Sequence, residues 1–68
     1  MPHQVKSLIR LPEVQRRTGY GKAWLYKLIA QGRFPKPIKI GIRSIAFIEC
    51  EVDEWINQRI ADSRGEVA

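Results

Sequence analysis

Two closely spaced prolines, Pro35 and Pro37, divide this sequence into two parts that must fold differently. Proline disfavours the helical conformation in the residue before it, so the segment around the pair cannot lie inside a helix. Upstream of the pair, apolar residues recur at helical spacing, whereas immediately downstream they alternate with polar residues, as in a strand. At 68 residues the chain is long enough for one small domain with a thin core. We therefore predict a single domain over residues 1–68, with loose termini at 1–6 and 62–68.

Two short helices are predicted before the prolines. The first begins near Leu11, accepts Pro12 at its first helical position and ends at Gly19, which can adopt a left-handed cap. The second runs from about residue 22 to residue 31, and its buried stripe is Leu25, Leu28 and Ile29. Two short helices joined by a tight turn are typical of a helix-turn-helix. Ahead of them, the apolar residues 8–11 suit either a strand or an N-terminal staple.

A β-hairpin is predicted directly after the prolines. Residues 38–40 and 45–47 alternate in period two around a bend. We expect the isoleucines and Phe47 of this hairpin to face inward and Lys39 to face outward. Arg43 lies in the bend, so its guanidinium should be displayed near the tip.

A third helix is predicted from Glu49 to about Ala61. Its apolar stripe is Val52, Trp55, Ile56 and Ile60. Acidic residues crowd its first turns, where they complement the helix dipole on a solvated face. The fold class is therefore mainly α with a small β-hairpin. The order of helix, turn, helix, hairpin wing and helix is that of a winged helix-turn-helix.

Positive charge is concentrated in the first part of the chain. Residues 1–48 hold ten Lys or Arg and one acidic residue, a balance of +9, whereas residues 49–68 hold two Arg and six acidic residues, a balance of −4. This asymmetry predicts a cationic face and an anionic end. A pI of about 9.9 fits a polyanionic partner, and ordinary solvated lysines are the alternative explanation.

The composition points away from membranes, secretion, metals and catalysis. Lys or Arg interrupts every hydrophobic stretch, and residues 1–6 lack the apolar region of a secretory signal. Cys50 is the only cysteine, and the only histidine, His3, lies near the N-terminus. We expect a cytoplasmic protein with no metal and no cofactor. The sequence has neither a Gly-rich phosphate loop nor a nucleophile–base pair, so we do not expect an enzyme.

The runs GRFPKPIKIGIR (residues 32–43) and EVDEWI (residues 51–56) resemble the AlpA family of prophage regulatory proteins. Further matches to the family pattern are Leu11, Glu13-Val14, Thr18-Gly19, Leu25-Tyr26 and Leu28-Ile29. The resemblance covers residues 8–60 and implies a winged-helix fold akin to that of the MerR regulators. It also implies transcription control, or excision of mobile elements, through binding of duplex DNA.

Three positions depart from the family pattern. Gly21 lies where the family usually has a serine N-cap; glycine is a tolerable cap but offers no hydroxyl to a phosphate. Phe47 replaces a common tryptophan, which is a packing change. Trp24 replaces a small polar residue and is the departure most able to alter recognition. Contact of Trp24 with DNA, contact with a partner, and packing within the domain all remain open at this stage.

The second helix is the predicted reader of the major groove, which admits an α-helix. Lys22 and Lys27 are expected to reach phosphates or guanine edges, and Tyr26 a phosphate or a thymine methyl. Ala23 is small enough to let the helix approach the bases. The alternative for both lysines is an ordinary solvated helix face.

The hairpin is the predicted wing, with Arg43 and Lys39 at phosphates or a narrow minor groove. The alternative is a sheet edge decorated with lysine to prevent pairing between edges. Arg16 and Arg17 are expected to touch the DNA backbone. The full set of candidate DNA-binding residues is Arg16, Arg17, Lys22, Ala23, Trp24, Tyr26, Lys27, Arg33, Lys36, Lys39, Arg43 and Ser44.

The predicted function is a sequence-specific, double-stranded-DNA-binding transcriptional regulator of a prophage or other mobile element. One alternative is an excisionase-type recombination directionality factor that assists an integrase. An alternative of another class is a small protein-interaction module that uses Trp24 and the acidic third helix. RNA binding is a weaker alternative, because no paired aromatics are predicted on a sheet surface. Besides DNA, candidate partners are further copies of the chain on repeated sites, an integrase and RNA polymerase; a membrane is not expected.

Overall fold

Three helices and three short strands make up the part of the chain that the computed structural model describes, residues 7–65. The elements are β1 (Leu8–Ile9), α1 (Leu11–Thr18), α2 (Lys22–Ala30), β2 (Ile38–Lys39), β3 (Ile45–Ile48) and α3 (Glu49–Ser63). The molecule is thus mainly α with a small sheet, as predicted. The expected loose segments 1–6 and 66–68 lie outside the described residues. The third helix continues to Ser63, two residues beyond its predicted end near Ala61.

A glycine follows each of the first two helices, and Gly19 is the predicted end of α1. Gly19 has a φ of 77° and donates its backbone N–H to the Gln15 carbonyl at 2.7 Å. Gly32 has a φ of 71°, and its N–H donates to the Ile29 carbonyl at 3.0 Å. Positive φ is strained for residues with a Cβ, so glycine allows both turns at little cost. The two helices therefore have fixed ends and a three-residue link.

The strands form one antiparallel sheet in the order β1-β3-β2. Leu8 pairs with Ile48 and Ile9 with Phe47, so the apolar start of the chain is a strand. The Glu49 N–H also donates to the Ser7 carbonyl at 2.8 Å, which extends the pairing to the start of α3. The predicted hairpin is therefore two strands of a three-stranded sheet, with β3 in the centre.

The prediction that all isoleucines of the hairpin face inward is wrong. Ile38 pairs with Ala46, and Lys39 pairs with Ile45. Residues directly opposite one another project to the same face of a sheet. Lys39 therefore shares the face of Ile45 and Phe47, while Ile38 lies on the other face. The exposed fractions are 38% for Ile38, 45% for Ile40 and 92% for Ile42.

The core is a single cluster drawn from all three helices, the sheet and the segment before the prolines. Its buried members are Val14, Leu25, Leu28, Phe34, Phe47 and Val52. Trp55 packs against this cluster from α3 and is half-buried, with its ring centroid 4.8 Å from that of Phe34. Its indole Nε1 donates to the Arg33 carbonyl at 2.8 Å. Trp55 thus ties α3 to the chain leaving α2, in keeping with its predicted place in the apolar stripe.

Candidate nucleic-acid interface

The outer surface of α2 carries small, aromatic and cationic side chains. Leu25 and Leu28 are buried against the core, so the opposite side of the helix is exposed. The exposed residues on that side are Ala23, Tyr26, Lys27 and Ala30, with Lys22 beside them. No acidic residue occurs in α2. The diameter of an α-helix with its side chains, about 10–12 Å, is close to the ~12 Å width of the DNA major groove.

The bend of the β2–β3 hairpin projects Ile42 and Arg43 into solvent. The Ile40 N–H donates to the Ser44 carbonyl at 2.9 Å, which closes a three-residue loop between them. Ile42 is 92% exposed and Arg43 is also exposed, whereas Ser44 is half-buried. The tip therefore presents one cation and one large apolar side chain.

Most of the predicted DNA-binding cations have no carboxylate partner within residues 7–65. No ion pair is formed there by Lys22, Lys27, Arg33, Lys36, Lys39 or Arg43. All six side chains belong to exposed residues of α2, the proline segment or the hairpin. Their charge is therefore not neutralised by any carboxylate within the described part of the chain.

Arg17, which was expected to touch the DNA backbone, differs because its guanidinium is bound within the protein. Its guanidinium binds three carboxylates: Glu13 at 2.7 Å, Glu49 at 2.8 Å and Asp53 at 3.0 Å. Its side chain is 23% exposed, whereas that of Arg16, which pairs only with Glu13 among residues 7–65, is 71% exposed. The fold brings the end of α1 against the start of α3, so two of the acids predicted to be solvated hold Arg17 instead.

The same cluster changes the ionisation of Glu13. Hydrogen bonds from Arg16 and then Arg17 lower the pKa of the Glu13 carboxyl from its ordinary 4.5 to about 2. The pKa of Arg17 is raised, first by its hydrogen bond to Glu13 and then by that to Glu49. Glu13 therefore stays ionised in the folded protein at pH values where it would be protonated in the unfolded chain.

This shift predicts the direction of the acid response. A lowered folded-state pKa contributes stability that is complete above the unfolded value and disappears as the pH falls from about 4.5 towards 2. In Glu13→Gln we expect a shallower dependence of the melting temperature on pH across this window. Glu51→Gln is the matched control, because Glu51 is exposed and forms no ion pair within residues 7–65. If the melting temperatures of the wild type and Glu13→Gln depend on pH in the same way, the lowered pKa of Glu13 is contradicted.

Sequence reasoning missed an aromatic depression beside α2. It has a volume of about 430 Å³ and is lined by Tyr20, Trp24, Leu28, Arg33, Trp55 and Arg59. Tyr20 is placed by Thr18, whose hydroxyl accepts the Tyr20 N–H at 3.2 Å and donates to the Val14 carbonyl at 2.9 Å. The sequence did contain a signal for this depression. Tyr20 is a large aromatic residue between Gly19 and Gly21, and such a side chain in a short turn is expected to pack against neighbouring residues.

Of the twelve candidate residues, Arg17 and Ser44 are half-buried and the others are exposed. The structure groups Lys22, Ala23, Tyr26 and Lys27 on α2. It places Lys39 and Arg43 on the hairpin. Arg33 and Lys36 lie in the segment of chain that joins α2 to the hairpin. Arg16 stays on α1, bound to Glu13.

Comparison with known proteins assigns the chain to a family. Residues 7–60 match the model of the prophage CP4-57 regulatory protein (AlpA). The chain belongs to this AlpA family. One relative is the DNA-binding transcriptional activator AlpA of Escherichia coli strain K12, 36% identical over 58 residues, covering 76% of this chain and 83% of that protein. Another is the uncharacterized protein ORF88 of Enterobacteria phage P4, 36% identical over 53 residues, covering 78% of this chain and 60% of that protein. No solved structure matches significantly.

The described residues hold neither a metal cluster nor a membrane-spanning helix. Between residues 7 and 65, no group of three or more His, Cys, Asp or Glu side chains is arranged to hold a metal ion. Over the same range, no helix has the length and apolar character needed to cross a membrane.

Proposed function

We propose that this AlpA-family protein is a sequence-specific DNA-binding transcriptional regulator of a prophage or other mobile element. The observation that carries the proposal is the set of six exposed cations on α2, the proline segment and the hairpin that form no ion pair within residues 7–65. The relative named a DNA-binding transcriptional activator supports the same function. In this proposal α1 and α2 are a helix-turn-helix, and β2 with β3 is the wing.

The α2 helix enters the major groove. Ala23 and Ala30 present only methyl groups, so the helix axis can approach the base edges closely. Lys22 and Lys27 supply positive charge, and the absence of acids in α2 removes repulsion from the phosphates.

The wing lies along the neighbouring backbone, with Arg43 at a phosphate or in a narrow minor groove. Arg33 and Lys36 lie on the path between α2 and the wing and contact phosphates there. Arg17 is not part of this surface, because three carboxylates already bind its guanidinium. Arg16 is exposed and remains a candidate for a backbone contact.

The acidic α3 faces away from DNA in this docking. Repulsion between its free acids and the phosphates favours one orientation of the domain. A small domain covers a short site, so several copies on repeated sites, or an integrase or RNA polymerase beside it, would complete the regulatory complex. The same docking would serve an excision factor.

The aromatic depression beside α2 is the observation that favours the alternative function, a protein-interaction module.

Salt dependence tests DNA binding against protein interaction. Six unpaired cations predict roughly 4–6 phosphate contacts, and hence a slope of log K against log salt near −4 to −5. The measurement is a titration of a labelled duplex by fluorescence anisotropy at several salt concentrations. Arg43→Ala should make the slope shallower by about one unit.

Arg64→Ala is the matched control, because it removes an exposed arginine at the far end of α3. Its slope should equal that of the wild type. A wild-type slope shallower than about −1 would reject DNA binding through this surface and leave the protein-interaction alternative.

A further inference from the structure

Trp24 lies between the core and the proposed DNA-reading face of α2. Its ring meets that of Tyr20 edge-to-face, with centroids 6.4 Å apart and an interplanar angle of 73°. Tyr20 meets Trp55 in the same way at 6.0 Å. The Trp24 ring also contacts the ammonium group of Lys27, whose Nζ lies 5.3 Å from the ring centroid. A chain of contacts therefore runs from the edge of the core to a cation on the surface of α2.

This arrangement restricts a side chain that is otherwise mobile. A lysine ammonium sits on a flexible four-carbon stem and acts as a point charge. The negative face of an aromatic ring attracts it and favours one position. Residues 24 and 27 are three apart on a helix, which is the spacing that makes neighbours. The bracing of Trp24 by Tyr20 fixes the ring itself.

We propose that Trp24 is a positioning residue, which holds Lys27 where its ammonium reads a base edge. The proposal rests on the function proposed above. It assigns to Trp24 neither a direct DNA contact nor a place in the core. Trp24 is 44% exposed, so its ring lies at the surface where Lys27 can reach it.

Positioning of Lys27 by Trp24 should affect discrimination between DNA sequences more than overall affinity for DNA. Phosphates accept a cation from many directions and carry no sequence information, whereas a base edge requires a donor in one place. A mobile Lys27 would still neutralise a phosphate. A fixed Lys27 distinguishes one sequence from another.

The first measurement uses the free protein and needs no DNA. In proton–carbon NMR spectra, the ring current of Trp24 should shift the Lys27 ε-methylene protons upfield. Trp24→Leu, which keeps apolar volume without a ring, should abolish the shift. Trp24→Phe, which keeps a ring face, should retain part of it. Lys22, on the other flank of α2, provides an internal reference that should not change.

The second measurement uses a duplex selected by the wild type from a random pool, together with a scrambled duplex of equal composition. Trp24→Leu should lower the ratio of the two affinities about two- to fivefold, the range expected for a surface cation–π contact. Trp24→Phe should restore most of the ratio. The double variant Trp24→Leu/Lys27→Ala should discriminate no worse than Lys27→Ala alone, because both changes remove the same interaction.

The outcomes separate the two proposals. An absent ring-current shift, or effects of Trp24→Leu and Lys27→Ala that multiply in the double variant, would overturn positioning while DNA binding stands. Equal losses on the selected and scrambled duplexes would overturn it too. A wild type that binds no duplex, with the ring-current shift intact, would overturn the proposed function instead, and the reading role of Lys27 with it.

Discussion

Phe47→Ala is expected to lower the free energy of unfolding by about 3–5 kcal/mol. Phe47 is fully buried, lies on the central strand β3 and meets Phe34 edge-to-face at 6.0 Å. Truncation leaves a cavity between the sheet and the helices, and a domain this small cannot close it without moving β3. Typical domains are stable by about 5–15 kcal/mol, so much of the stability would be lost. Urea denaturation followed by circular dichroism measures the change.

Ile42→Ala is the matched control for this core assignment. It removes a large apolar side chain from the same hairpin, but one that is 92% exposed. The expected change in the free energy of unfolding is within about 0.5 kcal/mol. Phe47→Leu keeps most of the buried volume and should cost less than about 1.5 kcal/mol, which provides a folded variant for comparison. Similar losses for Phe47→Ala and Ile42→Ala would show that the core is assigned incorrectly.

Ala23→Glu is expected to weaken DNA binding about 100-fold with little effect on folding. Ala23 is exposed in the first turn of α2, so a longer side chain meets solvent in the free protein. In the proposed complex it would place a carboxylate among base edges and phosphates, and like charges brought together at an interface cost several kcal/mol. Fluorescence anisotropy with the selected duplex measures the affinity, and the melting temperature reports on folding.

Asn57→Glu provides the control for the added charge. Asn57 is exposed on α3, which faces away from DNA in the proposed docking. It changes the net charge by the same amount, so its affinity should fall only by the small, general effect of one extra negative charge. If the two variants lose affinity equally, α2 is not the helix that enters the groove.

Local signals in the sequence predicted the helices well. Apolar spacing and capping depend on neighbouring residues, so α2 was placed to within one residue and Gly19 was identified as the end of α1. The exposed face of α2 followed from the same spacing, because burial of Leu25 and Leu28 leaves only the opposite side to solvent. The candidate residues on α2 could therefore be named from the sequence.

Features that depend on distant parts of the chain could not be predicted. Period-two alternation shows that Ile38 and Ile40 share a face, but only the pairing of Lys39 with Ile45 shows which face it is. A slip of one residue exchanges the two faces of a strand. Arg17 finds Glu49 and Asp53 more than thirty residues away. No local pattern indicates that contact, so Arg17 looked like a free cation.

The pairing of Leu8 with Ile48 has a consequence for the order of folding events. These partners lie about 40 residues apart, so their meeting closes a loop that contains α1, α2 and the whole hairpin. Contacts within and between neighbouring helices require far shorter loops and form sooner. During synthesis, β1 must wait until β3 has emerged before it acquires its only strand partner among residues 7–65. Helical structure and the β2–β3 hairpin, whose paired residues are six to eight positions apart, should therefore form before β1 pairs with β3 and completes the sheet.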